Sequence, residues 1–110
     1  YFNFELTFEN DWYISLKSED NIELAIINSE HPTIPEKFRN LSQGIILNIE
    51  VDNANNEYER LILTNNLSVI SDIKDEEFGQ RHFIIEDPNG ILIDIIEVIP
   101  PTEKFEAQYK

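Results

Sequence analysis

Apolar residues recur along this chain with two different periods, and the changes of period divide it into short elements. Asn3–Phe8, Trp12–Lys17 and Ile22–Ile27 are rich in β-branched, aliphatic and aromatic residues, and the turn-forming clusters Glu9-Asn10-Asp11 and Ser18-Glu19-Asp20-Asn21 separate them. The pattern predicts three consecutive strands. It breaks between Asn28 and Gly44, where His31-Pro32 and Ile34-Pro35 fix extended steps and Pro35 to Arg39 suits one helical turn opened by proline. An irregular segment of this length in a small domain is either a lid or binding loop, or a plain surface connection.

The strand pattern returns at Ile45–Val51. Ala54, Tyr58, Leu61 and Ile62 then recur at helical spacing, with Asp52 or Asn53 able to cap the start and Asn65 or Asn66 able to end the helix in the left-handed conformation. Leu67–Ile73 predicts a further strand, and Lys74-Asp75-Glu76-Glu77 reads as an acidic connection. The second half therefore has the order strand, helix, strand, strand, strand. The first half has three strands. The chain contains no methionine and opens at Tyr1 directly in strand-like sequence, so a preceding segment is expected. A strand and a helix there would make the two halves a duplicated module.

The last two strands are joined by Asp87-Pro88-Asn89-Gly90, whose side chains suit a type I turn closed by a left-handed glycine. With Pro88-Asn89-Gly90 as the loop, Asp87 faces Ile91, Ile84 faces Asp94 and His82 faces Ile96. His82 and Asp94 become diagonal neighbours on one face. Asp94 interrupts Ile91-Leu92-Ile93-Asp94-Ile95-Ile96, a run apolar on both faces, where an unpaired carboxylate is costly. It is either a structural acid bonded to His82 or a neighbouring strand, or a group that meets a ligand, a metal or a water in a cavity.

Acidic residues outnumber basic ones 22 to 8, a formal net charge of −14. Such a chain lacks the cations that nucleic acid and anionic membrane surfaces require, and it attracts cationic ligands. Without cysteine it forms neither disulfides nor thiolate zinc sites, and a reducing cytoplasm is expected. No apolar run is long enough to span a bilayer as a helix. The abundance of Asn and Ile suits an AT-rich bacterial genome. Its three glycines, Gly44, Gly79 and Gly90, are isolated, so no phosphate-binding glycine loop is present.

Several segments, in this order and spacing, resemble the vicinal oxygen chelate superfamily, which includes glyoxalase I, extradiol dioxygenases, fosfomycin-modifying enzymes and bleomycin resistance proteins. The matching residues are Tyr1-Phe2-Asn3-Phe4-Glu5, Val51-Asp52-Asn53, Phe78-Gly79-Gln80-Arg81-His82-Phe83 and Asp87-Pro88-Asn89-Gly90 with Ile93-Asp94 behind. The resemblance implies an α+β fold of paired βαβββ modules curled into a half-open mixed sheet around a cavity. By that resemblance the first module is expected to lack its opening strand and helix in this chain. Residues 1–100 are expected to form one domain, with 1–44 as the first module and its loop and 45–100 as the second, followed by a polar, peripheral tail at 101–110 that Phe105 and Tyr109 are able to pin. A homodimer is also expected.

Catalytic members of the superfamily hold a divalent metal, and the resemblance places Glu23 and Asp94 at two of the ligand positions. A third falls on Ile46, or on Ile45 or Leu47 beside it, none of which can ligate. The resemblance therefore favours metal-free sequestration of a small molecule, with no cofactor. Glu23, Glu50 and Asp94 lend the cavity a negative lining for a cationic ligand, Trp12, Tyr13 and Phe38 offer flat surfaces, and Ile46, Asn48, His82 and Ile84 complete the lining. The alternative is an enzyme, a lyase, transferase or dioxygenase. In one form Glu23, His82 and Asp94 hold a divalent ion. In the other, His82 is a catalytic base oriented by Asp94.

Overall fold

The computed structural model describes residues 1–103, and the expected pinning of the tail by Phe105 and Tyr109 lies outside them. The chain divides into two compact units, Tyr1–Leu41 and Ser42–Lys110. The architecture is α+β, with one antiparallel and one mixed sheet, neither closed into a barrel among the described residues.

In the first unit β1 (Glu5–Glu9), β2 (Tyr13–Lys17) and β3 (Glu23–Ile27) form an antiparallel sheet in that order. β1 begins two residues later than Asn3, which takes a positive φ of 58° and turns the chain before the ladder starts. Leu6, Leu16 and Leu24 stand in one cross-strand row and Ile14 faces Ile26, so one face is aliphatic. The other carries the row Glu5, Lys17, Glu23. No residue of this unit is buried. The segment after β3 is a folded clasp. Asn28 N–H bonds Trp12 O, Arg39 donates to the carbonyls of Ile34 and Pro32, and a single 3-10 turn spans Glu36–Phe38.

The second unit has the predicted order: β4 (Ile46–Glu50), α1 (Ala54–Tyr58), β5 (Val69–Glu76), β6 (Gln80–Glu86) and β7 (Leu92–Val98). Its sheet runs β4-β7-β6-β5, with β4 parallel to β7 and the other pairs antiparallel. Asn53 caps α1 by accepting from Asn56 N–H, and Glu97 of β7 accepts from Ala54 N–H, tying the helix start to the sheet. The helix continues as a π-helix over Glu59–Thr64, and Asn66 ends the segment at φ 57°. Ala54 and Leu61 bury themselves against the face that carries Phe83, Ile85 and Ile95, and this is the core.

The end of β5 departs furthest from expectation. β5 runs through Glu76 instead of stopping at Ile73, because the charges of its end are paired across the ladder. Lys74 faces His82, and Asp75 faces Arg81, whose guanidinium grips the carboxylate with two bonds of 2.7 and 3.0 Å. The hairpin has the predicted register, Ile84 opposite Asp94 and His82 opposite Ile96. Gly90 takes φ +82°, and Asp87 Oδ1 accepts from the backbone of both Asn89 and Ile91 at 2.8 Å.

Candidate functional site

With α1 covering one face of the β4-β7-β6-β5 sheet, the opposite face is the place where polar groups gather. Alternation along each strand puts Ile46, Asn48 and Glu50 of β4 on it, then Leu92, Asp94 and Ile96 of β7, and His82, Ile84 and Glu86 of β6. Asn48 is in direct register with Asp94, which also faces Ile84. Asp94 and His82 are the buried polar residues among those described, each 9% exposed.

These two are bonded to each other. His82 Nδ1 lies 2.7 Å from Asp94 Oδ1, and its Nε2 lies 3.3 Å from Glu76 Oε1. Lys74 Nζ contacts the same Glu76 oxygen at 3.1 Å. Carboxylate, imidazole, carboxylate and ammonium thus alternate across β7, β6 and β5. Lys74, and after it His82, hold the Glu76 carboxyl below the usual glutamate range by hydrogen bonding. The sequence reading missed Glu76, because four charged residues in a row look like a turn. The signal that finds it is the ladder, since a strand extended to Glu76 carries that residue to the side of His82.

Four other expected lining residues, Trp12, Tyr13, Glu23 and Phe38, fall in the first unit. Trp12 stacks flat on His31, with ring centres 3.6 Å apart, and Tyr13 meets Phe8 edge-on at 6.0 Å. Glu23 is exposed on β3 in register with Lys17. Phe38 stands 71% exposed on the 3-10 turn. In the second unit Ile46, 52% exposed, and Asn48 and Glu50 beside it line the face that holds Asp94.

A catalytic divalent centre wants three protein ligands and an open position. Ile46 has no donor atom, one Asp94 oxygen is engaged by His82, and both nitrogens of His82 face carboxylates. Among the described residues no group of three or more His, Asp or Glu side chains converges on a point that suits a metal. The side chains present do not fit such a centre.

No protein-family model matches the chain, and no curated protein matches it in sequence. Solved structures do. A glyoxalase/bleomycin resistance protein/dioxygenase from Nocardioides aligns with a TM-score of 0.66 and 14% identity over 87% of this chain and 68% of that one. A glyoxalase/bleomycin resistance protein/dioxygenase family enzyme from Burkholderia phytofirmans PsJN aligns at 0.67 and 13%, over 87% and 80%. A bleomycin resistance determinant encoded on transposon Tn5 aligns at 0.58 and 17%, over 88% and 80%. The chain has the glyoxalase/bleomycin resistance fold. That fold accounts for the βαβββ order of the second unit and for the hairpin that carries His82 and Asp94. No helix among the described residues is long and apolar enough to cross a membrane.

Proposed function

We propose that this protein binds a small molecule on the face of the β4-β7-β6-β5 sheet opposite α1, without a metal ion, and that Asp94 is the central contact. The observation that carries this reading is the buried Asp94–His82 pair, set among apolar side chains on the face opposite the helix. Apolar walls with a few placed polar groups are the general composition of small-molecule sites. Ile84, Leu92 and Ile96 supply the walls, and Asn48 and Asp94 supply the polar contacts.

A cationic ligand suits the site. Glu50 and Glu86 stand on the same face as Asp94, the net charge is −14, and a structural neighbour is described as a bleomycin resistance determinant. Binding is favoured over catalysis because both nitrogens of His82 are already engaged within the chain, by Asp94 at 2.7 Å and by Glu76 at 3.3 Å. The reading includes a homodimer, supported by the aliphatic face of β1–β3, on which no side chain is buried. Light scattering that returns the mass of one chain contradicts that part.

Calorimetry with a cationic glycopeptide antibiotic tests the whole. A saturable isotherm is expected, weakening as salt shortens the Debye length from about 10 Å at 0.1 M to about 3 Å at 1 M. Asp94→Asn is expected to cost about tenfold or more in affinity, the scale of one charged hydrogen bond. Binding that Asp94→Asn leaves unchanged contradicts the assignment.

A further inference from the structure

We infer that Asn89-Gly90, at the tip of the hairpin between β6 and β7, is a site of self-modification through a succinimide, and that Asp87 guards it. The Gly90 main-chain nitrogen attacks Asn89 Cγ, and an N–Cγ bond forms as the bond from Cγ to Nδ2 breaks. Ammonia leaves, carrying the proton of the Gly90 amide. Water then opens the cyclic imide at either carbonyl carbon. Opening at Cγ restores the ordinary main chain and leaves aspartate. Opening at the main-chain carbonyl leaves isoaspartate, in which the chain runs through the side-chain carboxyl. The only co-reactant is water, and nothing in this chemistry depends on what the sheet face binds.

The attacking nitrogen must be unshielded, and glycine, with no Cβ, leaves it so. Of the twelve asparagines in the chain, Asn89 alone is followed by glycine. Both residues are exposed, and among the described residues no hydrogen bond restrains the Asn89 side-chain amide. A Cβ at position 90 meets nothing nearer than Glu86 Oε1 at 3.6 Å, so the glycine serves its φ of +82° and the bare nitrogen comes with it. The asparagines that precede Ser or Ala are tied down. Asn28, before Ser29, accepts from Glu30 N–H at 3.0 Å. Asn53, before Ala54, accepts from Asn56 N–H, while Glu97 holds the Ala54 nitrogen.

The turn itself slows the reaction. Asp87 holds three successive amides of the loop: Oδ1 accepts from Asn89 N–H and Ile91 N–H, each at 2.8 Å, and its carbonyl accepts from Gly90 N–H at 3.1 Å. The Gly90 bond keeps the proton on the attacking nitrogen. The two bonds to the carboxylate stop the Asn89–Gly90 peptide from rotating to bring that nitrogen over Cγ. Asp87 is thus a positioning residue that acts by restraint. An isoaspartate adds a main-chain carbon inside the loop that Asp87 and Ile91 close, where these bonds no longer fit. The modified hairpin then loses the brace behind the register that sets Ile84 opposite Asp94.

Incubating the intact protein at mildly alkaline pH tests this, with peptide mass mapping and an isoaspartyl methyltransferase assay as readouts. Conversion to aspartate and isoaspartate is expected at Asn89 ahead of every other asparagine, and several-fold slower in the folded protein than in the same chain held in urea. Asp87→Ala is expected to raise the folded rate toward the urea rate. Asp87→Asn is expected to keep the slow rate, because its amide oxygen still accepts both bonds and the following proline has no N–H with which to cyclise. Conversion that begins at another asparagine, or none at Asn89 while the urea-held chain converts there, overturns the site. A folded rate equal to the urea rate, or an Asp87→Ala rate no faster than that of the unchanged chain, overturns the guard. The comparison with urea needs no variant, so it decides even where Asp87→Ala fails to fold.

Discussion

Phe83 lies fully buried on β6, with the Tyr58 ring edge-on at 5.2 Å and Leu61 and Ile95 in the same core. Removing so large a side chain leaves a cavity, and Phe83→Ala is expected to lower unfolding stability by about 3–5 kcal/mol, measured by urea titration. Gly79 is constrained for a different reason. It adopts φ +108°, and a Cβ there stands 2.8 Å from the carbonyl oxygen of Ile99. Gly79→Ala is therefore expected to cost on the order of 1–3 kcal/mol. At this scale Asp94 was the most legible residue, because one charge inside a run of isoleucines demands an explanation. Its partner His82 was legible through the Asp-Pro-Asn-Gly turn, which sets the register. Glu76 was not, since nothing local tells a charged strand end from a charged turn.

β5 is the element where charge and fold meet. Asp72 accepts from the Tyr58 hydroxyl and from Ile73 N–H, Asp75 accepts from Arg81, and Glu76 is held by Lys74 and His82, so all three carboxyls lie below their ordinary range. Groups depressed in the folded state add stability above their unfolded values and lose it as pH falls through their folded values. Urea midpoints are accordingly expected to hold near neutrality and to fall below about pH 4. The hydrogen bond to Asp72 raises the Tyr58 hydroxyl, which has the opposite sign: its contribution is present below the ordinary tyrosine value and is lost as pH rises through the folded one. Asp75→Asn is expected to flatten part of the acid limb, and an unchanged limb contradicts the assignment. The hairpin, α1 and its Asn53 cap were all legible, because turn and capping residues act on neighbours a few positions away. The end of β5 depends on Arg81 and His82 in another strand, and a reading of local pattern does not reach them.

Across the molecule the buried side chains belong to the second unit, whereas the strands of the first carry none. Amide exchange in the intact protein is expected to be slowest in β6 and β7 and much faster in β1–β3, since protection follows buried apolar contact. Uniform protection across both sheets contradicts this. The order of elements and the family resemblance made the α+β class legible, and composition the excess of negative charge, but neither gave the uneven distribution of burial, which depends on which faces meet. The central claim is that a ligand enters on the Asp94 face of the second sheet. The most direct measurement is a backbone and side-chain NMR titration with a cationic glycopeptide antibiotic. Shifts centred on Asn48, Ile84, Asp94 and Ile96 are expected; shifts confined to α1 and its packing face, or none at saturating ligand, contradict it.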